Sequence, residues 1–264
     1  INLIKNKKTK IKLKKIIKFF NDDILFYAGS LSFFTILALL PILALMIVLI
    51  SSVRIFSEYI DKFEVYALSF INPTHSAQLK VTVSGFLSNA SELGILGVLY
   101  LLFSFILFFR DYDHIVNRIY NIKEKTFFKM FSMYFFFIFL IPIVFVIYTL
   151  ILTSVNIVYI DNSIGQYLIT FMVNWIFFIL LFKISINKKI SIYSIIISSF
   201  IVLISLSVFK QLFIFYTLYN QMYTSIYGSF STLMFFFIWL YLSWLIYLYG
   251  IKLSRILNQI LSKS

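Results

Sequence analysis

Hydrophobic positions in this chain gather into six long stretches, approximately Ser30 to Val53, Ala90 to Phe109, Phe131 to Thr153, Ile164 to Phe182, Ile190 to Phe209 and Ser229 to Ile251. Apart from Glu92 at the lip of the second, none holds a charged side chain. A helix rises 1.5 Å per residue, so stretches of roughly 19 to 24 residues cross a hydrocarbon core about 30 Å thick. The pattern predicts an all-α, polytopic membrane protein with six transmembrane helices and both termini on one side. The segment between the first two stretches has a pattern of its own. Ile55, Phe56, Tyr59, Ile60, Phe63, Ala67, Phe70 and Ile71 follow helical spacing, Asn72-Pro73 interrupts it, and Leu79, Val83, Phe86 and Leu87 resume it. An amphipathic helical cap over one mouth of the bundle is expected from residues 54–89.

The connecting segments set the orientation, because Lys-rich and Arg-rich loops stay on the cytoplasmic side. Eight lysines lie between Lys5 and Lys18. Arg110, Arg118, Lys123, Lys125 and Lys129 fill the second connection, Lys183, Lys188 and Lys189 the fourth, and Lys252, Arg255 and Lys263 the C-terminal end. The first connection sets Arg54, Lys62 and Lys80 against Glu58, Asp61, Glu64 and Glu92, the third has Asp161 and no base, and Lys210 edges the fifth. The chain is therefore expected to be N-in and C-in, which makes the cap extracytoplasmic. Residues 1–20 form a basic juxtamembrane arm, residues 21–257 a membrane domain, and residues 258–264 a cytoplasmic tail.

Composition narrows the function classes. A chain that is 61% hydrophobic and 12% charged is no ordinary soluble globule. The net charge of +13 lies where topology requires it, so nucleic acid is not expected as a partner. With no cysteine and two histidines, thiolate metal sites, disulfides and cysteine nucleophiles are excluded together. The wealth of Phe, Ile, Lys, Asn and Tyr looks like the drift of a low-GC genome, so single phenylalanines and lysines carry little weight. The first stretch runs past the length of a signal peptide and is expected to remain as an anchor. No P-loop, GxGxxG, HExxH or GxSxG pattern occurs, and no cofactor is expected.

Several local features are candidates for function. The arm mixes lysines with Ile11, Leu13, Ile16, Ile17, Phe19 and Phe20, as an interfacial helix on the anionic inner leaflet would, or as a basic tail that sets orientation. Ala28, Ser32 and Thr35 form a small-residue face on the first span. Pro41 and Pro142 interrupt the helical ladder inside the first and third spans, and each frees a carbonyl that protein or a wet cavity must satisfy. Tyr216, Tyr219, Tyr223 and Tyr227 recur at helical spacing, which suits an interfacial or re-entrant helix over Gln211 to Tyr227. Ser191, Ser194, Ser198 and Ser205 fall within about 60° of arc and make a hydroxyl stripe, for close packing or for a polar path. Asn174 is an amide near mid-span and must face protein or water. Past the second span lies a polar cluster in which Asp111, His114 and Arg118 share one helical face, and Arg110, Asp113 and Asn117 an adjacent one. Without a third convergent ligand it reads as an ion-pair network at the inner membrane surface rather than a metal site.

These residues also carry a family resemblance. The run Phe26-Tyr-Ala-Gly-Ser-Leu-Ser-Phe-Phe-Thr-Ile-Leu-Ala-Leu-Leu-Pro41, with Tyr27 and Ala28, resembles the first-span motif of the YihY/BrkB family of bacterial inner-membrane proteins. So do Asn117 to Tyr120 after the second span, Tyr227-Gly228, and Trp239-Leu-Tyr241-Leu-Ser243 followed by Gly250. The resemblance covers roughly residues 20–257. The proline usual after the fourth span is missing, and serines replace the Gly-Ala usual early in the fifth. Membership implies a multi-pass protein of the bacterial inner membrane. Family members have carried the labels ribonuclease BN and serum-resistance factor, and lipid or ion transport has been proposed for them. Metal-dependent RNA cleavage needs clustered ligands, whereas His75 and His114 fall on opposite sides of the membrane, so no enzyme activity is expected. The reading that results is a transporter or translocation component for a lipid-like or amphipathic solute. The alternatives are a non-transporting envelope scaffold, with envelope proteins or a second copy as partners, and an ion exchanger.

Overall fold

The computed structural model describes residues 23–52, 81, 85, 94–124, 126, 128–132, 134–135, 163–219 and 230–262. Five long helices dominate them: α1 (Ile24–Ser52), α2 (Gly94–Tyr120), α3 (Ser163–Ser185), α4 (Ile192–Tyr219) and α5 (Phe230–Leu261). Among the described residues there is no strand. Leu168–Ser185, Ile192–Tyr219 and Leu233–Leu261 are each long and apolar enough to cross a membrane. The arm at residues 1–20, the third stretch beyond residue 135, Pro142, Tyr223, Tyr227 and Gly228 lie outside the described residues. So does the cap at 54–89, except for Val81 and Gly85, which are helical and exposed.

Two boundaries differ from the sequence expectation. The helix proposed to begin anew at Gln211 is instead the end of α4, which runs unbroken through Lys210 and Gln211 to Tyr219. No glycine or proline interrupts Ile192 to Tyr219, so each backbone N–H continues the ladder, and the polar pair does not stop it. Likewise α5 continues through Lys252 and Arg255 to Leu261, and most of the expected tail is helix.

Contacts between helices fix their relative directions. Ser30 meets Asp111 and Leu37 meets Tyr100, so α1 and α2 are antiparallel. Tyr112 meets Tyr247 and Tyr120 meets Ser254, so α2 and α5 are parallel. Ser191 meets Asn258 and Phe213 meets Phe235, which reverses α4 against α5. Phe171 meets Phe200 while Trp175 meets Ile196, which reverses α3 against α4 and so aligns it with α2 and α5. Asp23, Arg110, Arg118, Lys183, Lys188, Lys189, Lys252 and Arg255 therefore gather at one end of the bundle, here the basic end.

The C-terminal helix α5 is the hub, packing against α1, α2 and α4. At the basic end its Tyr247, Leu248 and Ile251 join Ile24, Leu31, Phe105, Ile115, Phe182 and Val202 in the main core. Toward the other end, Trp239 stacks on Phe209 with centroids 5.1 Å apart and meets Phe213 and Phe235. Outward faces stay apolar: Leu168, Met172 and Ile176 on α3 and Ile197, Ile201, Ile204 and Val208 on α4 are exposed, as lipid-facing side chains would be.

The closest approach is at Gly250. A Cβ there would lie 2.0 Å from Val202 Cγ2 and 3.2 Å from Phe182 Cζ, so α3, α4 and α5 converge on a point that only hydrogen leaves room for. Valine at 202 is stiff about χ1 and cannot swing away. Gly250→Ala should lower stability by about 1 to 3 kcal/mol, the usual range for overpacking. Pairing it with Val202→Ala should recover much of the loss. Melting of the detergent-purified protein checks this, and additive losses would contradict it.

Candidate functional site at the basic end

The end of α2 is built by a specific cap. Asn121 takes a left-handed conformation (φ 54°), Ile122 N–H donates to the Asn117 carbonyl at 3.0 Å, and Asn121 N–H donates to the Arg118 carbonyl at 3.1 Å. This is a Schellman arrangement with asparagine where glycine is commonest. It leaves the Ile119 carbonyl free, and Arg255 on α5 donates to it at 2.6 Å. A guanidinium on the negative end of a helix is doubly favourable.

Four contacts between helices share one chemistry. The Ser185 hydroxyl donates its single hydrogen to the Leu181 carbonyl of its own helix at 2.6 Å, so toward Tyr112, 2.5 Å away, it can only accept. The Tyr112 hydroxyl also lies 2.5 Å from that of Tyr247, a contact in which either phenol can be the donor. The chain runs Tyr247 to Tyr112 to Ser185 to Leu181 and joins α5, α2 and α3. By the same logic Tyr120 donates to Ser254, which donates to the Ile251 carbonyl. Trp244 donates to Thr35 at 2.8 Å while Thr35 donates to Leu31. Trp175 donates to Ser199 at 3.1 Å while Ser199 donates to Ile196. Burial pushes the Tyr120 phenol up to about 12 against the pull of Ser254 and Arg255, so it stays a donor.

Beside the phenol chain lies a buried carboxylate. Asp113 is 2% exposed and accepts from Asn117 Nδ2 at 2.6 Å and from the Tyr134 hydroxyl at 3.1 Å. Asn117 is 1% exposed, and its Oδ1 has no hydrogen-bond partner. The other members of the sequence cluster diverge. Asp111 is half-buried and accepts from Ser30 at 2.8 Å, His114 pairs with Glu124 at 2.6 Å, and Arg110 and Arg118 are exposed. The cluster is thus divided: Asp113 and Asn117 turn inward to the phenols, and His114 turns toward the loop that follows.

The remaining candidates fall on separate seams. Pro41 sits within α1, which continues to Ser52; the carbonyl it frees is that of Leu37, and the Tyr100 hydroxyl of α2 approaches it at 3.5 Å. Ser191, Ser194 and Ser198 share the α4 face that carries Val202, so they lie along α5. The Ser191 N–H donates to Asn258 at 2.8 Å, and Ser194 and Ser198 are fully buried with unpartnered hydroxyls. Ser205 and Asn174 are half-buried, Asn174 on α3 beside Trp175. Among the motif residues, Ala28 and Tyr120 are buried, Tyr27 and Tyr241 pack on the core, and Trp239 anchors the aromatic cluster at the far end. Tyr112, Ser185, Tyr247 and Trp244 were not separable in sequence from other aromatics and hydroxyls, whereas Thr35 lies on the small-residue face of the first span.

Comparison with known proteins gives these positions a family. A model described as "Virulence factor BrkB" matches residues 16–263. The chain belongs to the BrkB virulence-factor family. Relatives of this BrkB-family chain carry the name UPF0761 membrane protein. One from Pseudoalteromonas atlantica is 27% identical over 181 residues, covering 64% of this chain and 60% of that protein. One from Pseudoalteromonas translucida is 30% identical over 105 residues, covering 40% and 35%. One from Haemophilus influenzae is 24% identical over 172 residues, covering 62% and 64%. The chain thus spans less than two thirds of the length of each. No solved structure matches it. As a BrkB-family membrane protein it places the motif residues Asn117, Tyr120 and Gly250 in the cap, the α2–α5 contact and the three-helix convergence.

Asp111 gives this end a pH signature. Burial raises its carboxyl above the ordinary 3.8, against the pull of the Ser30 bond and of His114. A carboxyl raised on folding contributes stability below its ordinary value, and the contribution is lost as pH rises through the folded value. Between about pH 4 and neutrality the wild-type melting temperature should therefore carry a falling component that Asp111→Asn removes. Parallel melting profiles for the two proteins would contradict this.

Proposed function

We propose that this chain is a six-span protein of the bacterial inner membrane, N-in and C-in, that moves a lipid-like or amphipathic solute across it. The alternation of α1 to α5 supports the topology, since α1 and α4 run against α2, α3 and α5 as first, fifth, second, fourth and sixth spans should. Gathering of the basic residues at one end supports the orientation. That end would face the cytoplasm and its anionic lipids.

The observation that carries the transport reading is the contrast between the two halves of α3. Its basic end is tied to α2 and α5 through Ser185, Phe178 and Phe182, whereas higher up Phe171 and Trp175 rest on α4. A bundle closed by polar contacts at one end, with a half-buried amide at Asn174 farther along the same helix, has the form of a carrier in one of two states. The exposed flanks of α3 and α4 are apolar, which suits a solute that shares the lipid phase. Neither the chemistry at the basic end nor the composition calls for a cofactor, and the proposed role is non-enzymatic.

Liposomes containing the purified chain, assayed for movement of a fluorescent phospholipid and of Na⁺, K⁺ and protons, test this. Lipid movement above empty liposomes that falls severalfold in Asn174→Leu is the expected result. Ion flux without lipid movement would replace the proposal with ion exchange, and no flux of any kind would replace it with a scaffold.

A further inference from the structure

Of the four aromatic-to-hydroxyl contacts, the one at Ser185 differs in its surroundings. Trp244–Thr35 and Trp175–Ser199 lie along the lengths of their helix pairs, and Tyr120–Ser254 is backed by Arg255 on the same carbonyl turn. Ser185 is the last residue of α3, and the connection to α4 spans only 186–191. That connection is pinned on its far side, where the Ser191 N–H donates to Asn258. The basic end of α3 is thus held by Tyr112 and by this short link, while Trp175 holds the helix to α4 farther along.

Release at this point strands few polar groups, although it uncovers the buried Phe182 and Ile186. Ser185 keeps its bond to Leu181 whether or not Tyr112 is present, so its hydrogen is never orphaned. Lys183, Asn187, Lys188 and Lys189 around it are exposed, so water stands ready to take over the Tyr112 and Tyr247 hydroxyls. By contrast, Asp113, Asn117 and Tyr134 are bonded together deep beside α2, where release would uncover a carboxylate.

We propose that the hydroxyl chain Tyr247–Tyr112–Ser185 is a releasable latch at the basic end, whose parting lets α3 leave α2 and α5 and opens the bundle on that side. Its role as a gate rests on the transport reading; its geometry does not. The latch holds the closed state through hydrogen bonds that are each weak between membrane helices, so loss of one shifts the population without unfolding the bundle.

The chain has no cysteine, so a single introduced thiol reports alone. Ile186, 4% exposed, lies next to Ser185, and Phe213, 4% exposed, lies in the aromatic cluster at the far end. The full chain in lipid nanodiscs would carry Ile186→Cys or Phe213→Cys, with labelling by a membrane-impermeant maleimide timed in each. Tyr112→Phe removes the hydroxyl and keeps the ring; Ser185→Ala provides a second, independent break. Either change should speed labelling at position 186 about five- to tenfold and leave position 213 unchanged. An unchanged rate at 186 overturns the latch, and so does an equal rise at 213, which would mean that the whole fold has loosened. Thiol labelling does not depend on any substrate. A latch that opens in a protein with no flux leaves the latch standing and removes the transport reading, whereas no change in labelling removes the latch whatever the flux.

Discussion

A hydroxyl has one hydrogen, and inside a membrane no water supplies another partner. Four helical hydroxyls, those of Thr35, Ser185, Ser199 and Ser254, commit that hydrogen to a carbonyl three or four residues back. Ser30 instead donates to Asp111, and Ser194 and Ser198 have no partner among the described residues. Each of the four is then left as an acceptor facing sideways, and each receives an aromatic O–H or N–H from a neighbouring helix. The donors are Trp244, Tyr112, Trp175 and Tyr120, large side chains that fill the gap left by a small one. One rule of valence thereby fixes which helices meet, at what height and in which direction. Hydrophobic burial cannot do this, because lipid tails are as apolar as the helices they would replace.

The rest of the architecture follows from these ties. Because α5 provides Trp244, Tyr247, Ser254 and Arg255, α1 and α2 are tied to it. Helix α4 packs on it through Val202 at Gly250 and through Phe209 and Phe213 at Trp239. Close approach then needs a small residue at the convergence, which Gly250 supplies. At the basic end a carboxylate, Asp113, buried at the edge of an apolar bundle is held by the Asn117 amide and the Tyr134 phenol. Polar bonding, basic charge and the ends of three helices coincide there, so the part of the molecule best tied together is also the part nearest water.

Much of the fold was legible in sequence, because hydrophobic period and charge asymmetry are the same forces that insert and orient helices. The stretch Ser30 to Val53 and the helix Ile24–Ser52 differ mainly by the residues Ile24 to Gly29, nearly two turns that start where the Tyr27 N–H donates to the Asp23 carbonyl. Helix ends were less legible. Lys210-Gln211 looked like a break yet is interior to α4, since polarity alone does not stop a ladder that lacks glycine or proline. The site was half-visible. The cluster from Arg110 to Arg118 was found by its polarity, but its division into inward Asp113 and outward His114 depends on where Tyr134 and Glu124 sit. The phenols were hidden by abundance: among 18 tyrosines and 33 phenylalanines, composition cannot tell a tie from a filler. Of the serine stripe, Ser191 bonds Asn258 of α5, and Ser194 and Ser198 are buried. Asn121 carried a signal that was available, since asparagine after a helix is a recognisable cap.

The claim most exposed to refutation is that aromatic donors on back-bonded hydroxyls hold the bundle. The Thr35–Trp244 pair joins the first and last helices across 209 residues of chain, so no local effect can imitate it. Melting free energies of wild type, Thr35→Val, Trp244→Phe and the double variant form a closed cycle. The account predicts a coupling of about 0.6 to 1.7 kcal/mol, the range of hydrogen bonds between membrane helices. Losses that add within about 0.3 kcal/mol would contradict it and would leave packing alone as the force that aligns these helices.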